Sequence, residues 1–172
     1  MVHQNGIIRC YDHEKERFIE QFDFLKDQLK TDDRIILKIL DNGDFWIMWD
    51  RGAGYYDVYK KKWNPIAGIR LGQNSWLTSM DVDKGGNAWI GTVLDGICIV
   101  DIHNFSVTQL RELPLLSGKI IINGIQSIYC DRESGAVWIG LYNQGLCYYH
   151  PSLNRMKLYN KKVLDGDWNG EE

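Results

Sequence analysis

Two tripeptides in this chain of 172 residues carry side chains suited to gripping a polyhydroxylated ligand: Trp49-Asp50-Arg51 and Tyr142-Asn143-Gln144. An aromatic face stacks on C–H groups, while carboxylate, amide and guanidinium groups bind hydroxyls in pairs. Val93-Leu94-Asp95 adds a carboxylate, and the run holding Arg70, Gln73, Asn74, Ser75 and Trp76 is polar and aromatic between apolar stretches, as is Ser117 to Asn123 in part. The candidate ligand-binding residues are therefore Trp49, Asp50, Arg51, Asn74, Trp76, Asp95, Tyr142, Asn143 and Gln144. Arg51→Ala and Tyr142→Ala are expected to weaken binding of such a ligand without lowering the melting temperature. The plainer reading of each is a polar loop with an aromatic residue packed on its rim.

Other chemistry finds less support. Asp and Glu total 23, but no two are fixed on facing elements, so a glycosidase-type pair of carboxylates cannot be argued. There is no Gly-x-Ser-x-Gly, P-loop or zinc motif. His13, His103 and His150 fall near hairpins on the side opposite the candidate loops, and His3 is terminal; each reads as exposed or structural. Cys98 and Cys147 each stand two residues after a repeated glycine (below), which suits small buried hydrophobes rather than a disulfide or metal pair. No catalytic residue, metal or cofactor is expected. With a net charge of −3 and only Lys60-Lys61-Lys62 as a basic cluster, the chain lacks the basic face of a nucleic-acid binder. The first residues show no signal peptide, and no apolar run approaches a membrane span.

What must position the candidate loops is a unit stated three times. Gly-x-x-Trp-Ile occurs at Gly43-Asp-Phe-Trp46-Ile47, Gly86-Asn-Ala-Trp89-Ile90 and Gly135-Ala-Val-Trp138-Ile139, each after an Asp (Asp41, Asp83, Asp131). A Gly opening an apolar run follows each: Gly54-Tyr-Tyr, Gly96-Ile-Cys-Ile-Val and Gly145-Leu-Cys-Tyr-Tyr. The Trp-to-Trp spacings are 43 and 49 residues, the length of one supersecondary unit that completes its core against neighbours.

Each unit reads as four strands: 35–40, 45–49, 55–59 and 63–66; then 76–82, 88–92, 97–101 and 105–110; then 122–130, 137–141, 146–150 and 155–159. Residues 5–12 and 17–22 add an outer half unit, for fourteen strands. Phe18, Phe22, Leu25 and Leu29 also recur at helical spacing; the repeat frame favours a strand for 17–22 and leaves a short helical turn open for 23–31. The strands are apolar at consecutive positions, so both sheet faces are covered, as when sheets stack around an axis. The expected fold is all-β: a partial β-propeller of about three and a half four-stranded antiparallel blades. One domain spans 1–160, with an outer half blade in 1–31, blades at 32–70, 71–115 and 116–160, and a tail at 161–172. Gly43, Gly86 and Gly135 are assigned to hairpin turns and Trp46, Trp89 and Trp138 to the packing between blades. Gly91 and Gly140 are expected to leave room for the indoles.

Asp-x-x-Gly-x-x-Trp-Ile-Gly-Thr-x-x-x-Gly-Ile at 83–97 resembles the two-component regulator propeller repeat. The match is good at 131–150, degenerate at 41–59, where Met48-Trp49 replaces Gly-Thr, and weaker at 5–12. The resemblance implies the sensor region of a hybrid two-component histidine kinase: a periplasmic propeller of an inner-membrane receptor that senses oligosaccharides and signals through domains absent from this chain. The alternative is a non-catalytic scaffold that docks another propeller or itself. Propellers close with 4 to 8 blades, so open blade faces are expected to meet further blades of a longer receptor or copies of this chain, unless the chain is a degenerate gene product.

Overall fold

A computed structural model describes residues 6–26, 28–30, 32–115, 118–122, 124–153 and 156–160. His3, Ser117, Asn123, Arg155 and the 161–172 tail lie outside the described residues. The chain begins with a hairpin of β1 (Ile8–Asp12) and β2 (Arg17–Phe22). Blade 1 is β3 (Ile36–Ile39), β4 (Phe45–Trp49), β5 (Gly52–Asp57) and β6 (Lys62–Pro65). Blade 2 is β7 (Leu77–Val82), β8 (Ala88–Thr92), β9 (Ile97–Val100) and β10 (Val107–Leu110). A short hairpin, β11 (Glu112–Leu115) and β12 (Gly118–Ile121), precedes blade 3: β13 (Ile125–Cys130), β14 (Val137–Leu141), β15 (Gly145–Tyr149) and β16 (Lys157–Tyr159).

Each blade is an antiparallel meander in chain order, and β7 packs against both β3 and β13, so the first strands converge on a common axis. The fold is a partial β-propeller. Among the described residues sixteen strands stand where fourteen are expected, because 112–115 and 118–121 form their own two-stranded sheet. Among the described residues there is no helix, and the helical spacing at 23–30 resolves into turns: Lys26 N–H donates to Asp23 O and Gln28 N–H to Leu25 O. The period there comes from packing, with Leu25 buried against blade 1.

Local chemistry explains the meanders. At the first hairpin of blade 2, the Asp83 carboxylate accepts the Gly85 and Asn87 amides at 2.9 Å each, and Gly86 takes φ +87°. That left-handed conformation is strained for a residue with a Cβ. Gly43 and Gly135 stand at +86° and +81° in the matching turns. At the third hairpins, Asp12, Asp57 and Asp101 cap the turn with their carboxylates. In blade 3 the His150 ring does this, accepting the Ser152 amide at Nδ1. His150 is thus structural, as read.

The repeated Trp-Ile pair covers opposite faces. Trp46 lies in the core between blades 1 and 2, while Ile47 lies in the core between blade 1 and the β1–β2 hairpin. Trp89 and Ile139 share the core between blades 2 and 3. Cys98 and Cys147 are free and buried in these cores, and burial pushes both thiols up to about 11. Gly91 makes room for a different neighbour than expected. A Cβ there would lie 2.4 Å from Ile125 Cγ2 of the next blade and 2.8 Å from Ser79 Oγ, not against the Trp89 ring. Gly140 faces Ser127 Oγ in the same way. At Gly91 the next blade, rather than the strand's own indole, is what needs the space. Blade 1 departs from the repeat at its third strand: Gly52, not Gly54, pairs with Trp49 and opens β5.

Candidate functional site

The turns between second and third strands sit at the heads of the inner strands and are tied there by backbone bonds. Leu77 N–H donates to Asp50 O at 2.9 Å, Val93 N–H to Trp76 O at 3.0 Å, and Tyr142 N–H to Gly124 O at 2.9 Å. The last two border a cavity of about 530 Å³ whose lining includes Arg34, Trp76, Thr78, Leu94, Gln126 and Tyr142. Trp76 is 41% and Tyr142 57% exposed, so both rings present an open face.

Two of the polar groups reach the cavity through bulges. The β7–β8 ladder shifts between Leu77 and Ser79, and the β13–β14 ladder between Ile125 and Ser127. The extra residues are Thr78 and Gln126; a bulge re-aims its side chain relative to strict alternation. Thr78 Oγ1 is buried and, like Trp63 Nε1 and Ser79 Oγ, has no hydrogen-bond partner. Arg34 holds its Nε 3.3 Å from Asp50 Oδ1 and donates from Nη2 to Leu77 O at 3.1 Å. The lining therefore offers two stacking faces, a positioned guanidinium and an amide.

Of the nine residues singled out from the sequence, the structure brings Trp76 and Tyr142 together on this cavity. Trp49 is 7% exposed and packs on Gly52 in the core, so it has no open face to offer. Asp50 positions Arg34. The Arg51 guanidinium donates from Nη1 to Ser75 O and fastens the loop before β7; Arg51 does not line the cavity. Asp95 is buried; it accepts the Gly72 amide at 2.8 Å and the Arg111 guanidinium at 2.8 Å. The Gly72 amide, then Ser75 and the Arg111 charge, hold its carboxyl below the usual carboxylate range against the cost of burial. Gln144 donates to Ile121 O at 3.0 Å, tying β12 to blade 3. Asn143 stands at φ +54° in its turn, and Asn74 is exposed in the loop before β7; neither lines the cavity.

Arg34, Thr78 and Gln126 escaped the sequence reading. Thr78 and Gln126 were assigned to regular strands, and only the pairing of Ser79 with Gly91 and of Ser127 with Gly140 reveals the shift.

No family model matches the chain, and no curated protein does. Solved structures do. The extracellular domain assigned to hybrid two-component system BT4673 of B. thetaiotaomicron aligns over 90% of this chain at 17% identity and TM-score 0.60. That of BT3049, from the same organism, aligns over 90% at 18% identity and TM-score 0.56. PorZ, a surface component of the type-IX secretion system of Porphyromonas gingivalis, aligns over 94% at 16% identity and TM-score 0.63. This chain spans 20% of the first two and 25% of the third. At such identities the likeness establishes the fold, and the fold is that of a propeller segment.

Proposed function

We propose that this chain is part of a ligand-sensing propeller, and that an oligosaccharide binds at the cavity between Trp76 and Tyr142. The observation that carries the reading is the convergence of two exposed aromatic rings, the Arg34 guanidinium and the Gln126 amide on one concave surface. Stacking rings supply affinity for C–H faces, and the polar groups fix hydroxyl positions. The titratable groups on the lining are Arg34 and Tyr142, a set suited to recognition rather than proton transfer. Likeness to extracellular domains of hybrid two-component systems supports a periplasmic receptor that signals through other domains.

The test is a thermal-shift screen against oligosaccharides, in which a ligand raises the melting temperature by mass action. Trp76→Ala and Tyr142→Ala are expected to weaken binding about tenfold each, equivalent to about 1.4 kcal/mol, with the ligand-free melting temperature unchanged. Equal binding by wild type and both variants would sink the proposal. A second reading, a docking scaffold, is favoured by the exposed aromatic face of blade 3, where Tyr129 is 61% exposed. A scaffold would leave the oligosaccharide screen flat.

A further inference from the structure

The two boundaries between blades are built from equivalent positions, yet they are filled differently. At the boundary of blades 1 and 2, the Trp46 indole N–H reaches across to Gly86 O at 3.2 Å. Two more rings occupy the space beside it. Tyr55, paired with Trp46 across the β4–β5 ladder, lies 5.0 Å from that indole and 5.6 Å from Phe105. The Tyr55 hydroxyl donates to the Asp44 carboxylate, which also accepts the Val58 amide. Phe105 enters from the third hairpin of blade 2 at φ +58°, a conformation uncommon for a bulky residue and offset by its ring contacts.

At the boundary of blades 2 and 3 the same slots hold different residues. Trp89 pairs with Ile99 where Trp46 pairs with Tyr55. Its indole N–H turns back to Asp83 Oδ2 at 3.0 Å instead of crossing to the next blade. Asn87 stands in the place of Asp44, one residue past the turn glycine, and accepts the Ile102 amide at Oδ1. Its amide nitrogen, which donates to Asp83 Oδ2, stands where Asp44 presents the oxygen that accepts from Tyr55, and it keeps a second N–H. Beside these groups lies a cleft of about 860 Å³, walled by Trp89, Ile99, Leu110, Pro114, Tyr149 and Met156, with Asn87 on its polar rim. The Trp89 and Tyr149 rings lie 5.5 Å apart along it.

We propose that this cleft is a second ligand site that takes a small phenolic molecule. The ring occupies the position that Tyr55 fills one blade earlier, between the Trp89 indole and the Ile99 side chain, and its hydroxyl oxygen accepts the second N–H of Asn87 Nδ2, the donor and acceptor roles of the Tyr55–Asp44 pair being exchanged. The site is separate from the cavity at Trp76 and does not depend on the oligosaccharide reading.

The experiment is a titration of the chain with p-cresol, and with toluene as the isostere lacking the hydroxyl, followed through the Trp89 indole N–H resonance. Saturable movement of that signal is expected for p-cresol, with toluene about fivefold weaker for want of one neutral hydrogen bond. Ile99→Tyr fills the cleft from within, as Tyr55 does, and is expected to abolish the response while raising the melting temperature. Trp76→Ala is expected to leave it intact. An unmoved Trp89 signal, an undiminished response in Ile99→Tyr, or loss of the response in Trp76→Ala overturns the proposal; the last would put the ring in the other cavity.

Discussion

Asp95 shows how a residue suited to ligand chemistry is taken up by structure. Its loop position and charge are legible in the sequence, but its partners, Gly72 and Arg111, come from segments that only the fold brings near. The folded carboxyl titrates below its ordinary value of 3.8. The stabilisation it supplies is therefore complete above that pH and is lost as pH falls through the lower folded value. Asp95→Asn should cost about 1–3 kcal/mol at neutral pH, because the Gly72 amide and Arg111 lose a charged acceptor. It should also flatten the decline of stability below about pH 4. Urea unfolding followed from neutral to acid pH checks both; parallel curves for wild type and variant would show that Asp95 is not the titrating clasp. Arg51 and Trp49 teach the same lesson. Their side-chain types are right for recognition, but nothing in the local sequence says that Arg51 is committed to Ser75 O or that the Trp49 ring lies on Gly52.

At the scale of elements, the blades were legible because their signals are local. Asp and Gly mark the turns, and consecutive apolar residues mark strands covered on both faces. The hairpin of β11 and β12 was not, since Pro114 and Gly118 read as loop residues and its register rests on burial. Leu113 is fully buried and Leu115 nearly so, both facing the core of blades 2 and 3, while Pro114 and Ile121 face outward. Pro114 is tolerated because β11 is an edge strand. The Pro114 carbonyl also accepts the Met156 amide at 2.8 Å, fastening the hairpin to the outer rim of blade 3. Leu113→Ala is expected to cost about 2–5 kcal/mol through lost burial and a residual cavity. Ile121→Ser on the exposed side should stay within about 0.5 kcal/mol. Denaturant midpoints measure both, and a small cost at Leu113 would mean that the hairpin is an ornament rather than part of the core.

For the whole molecule, the repeat supplies its own standard for what a covered blade looks like. On blade 2, the dip formed by Gly91 and Ser79 holds Ile125 of the following blade. On blade 3 the matching dip, Gly140 and Ser127, lies on a face that carries Tyr129 at 61% and Leu146 at 39% exposure. Trp138, Tyr148 and Tyr159 extend that face with ring contacts of 4.6 and 6.4 Å. Four strands about 4.8 Å apart and roughly 15 Å long give a face on the order of 300 Å². Two copies meeting there bury roughly 600 Å², about half of what a stable interface removes. The 172-residue chain should therefore dimerise weakly, with a mass that rises from monomer towards dimer between micromolar and near-millimolar concentration in light scattering. Tyr129→Lys combined with Leu146→Lys places two charges on the face and should hold the chain monomeric throughout, at an unchanged melting temperature in dilute solution. A wild-type chain that stays monomeric across the whole range would show that the aromatic face of blade 3 does not drive self-association.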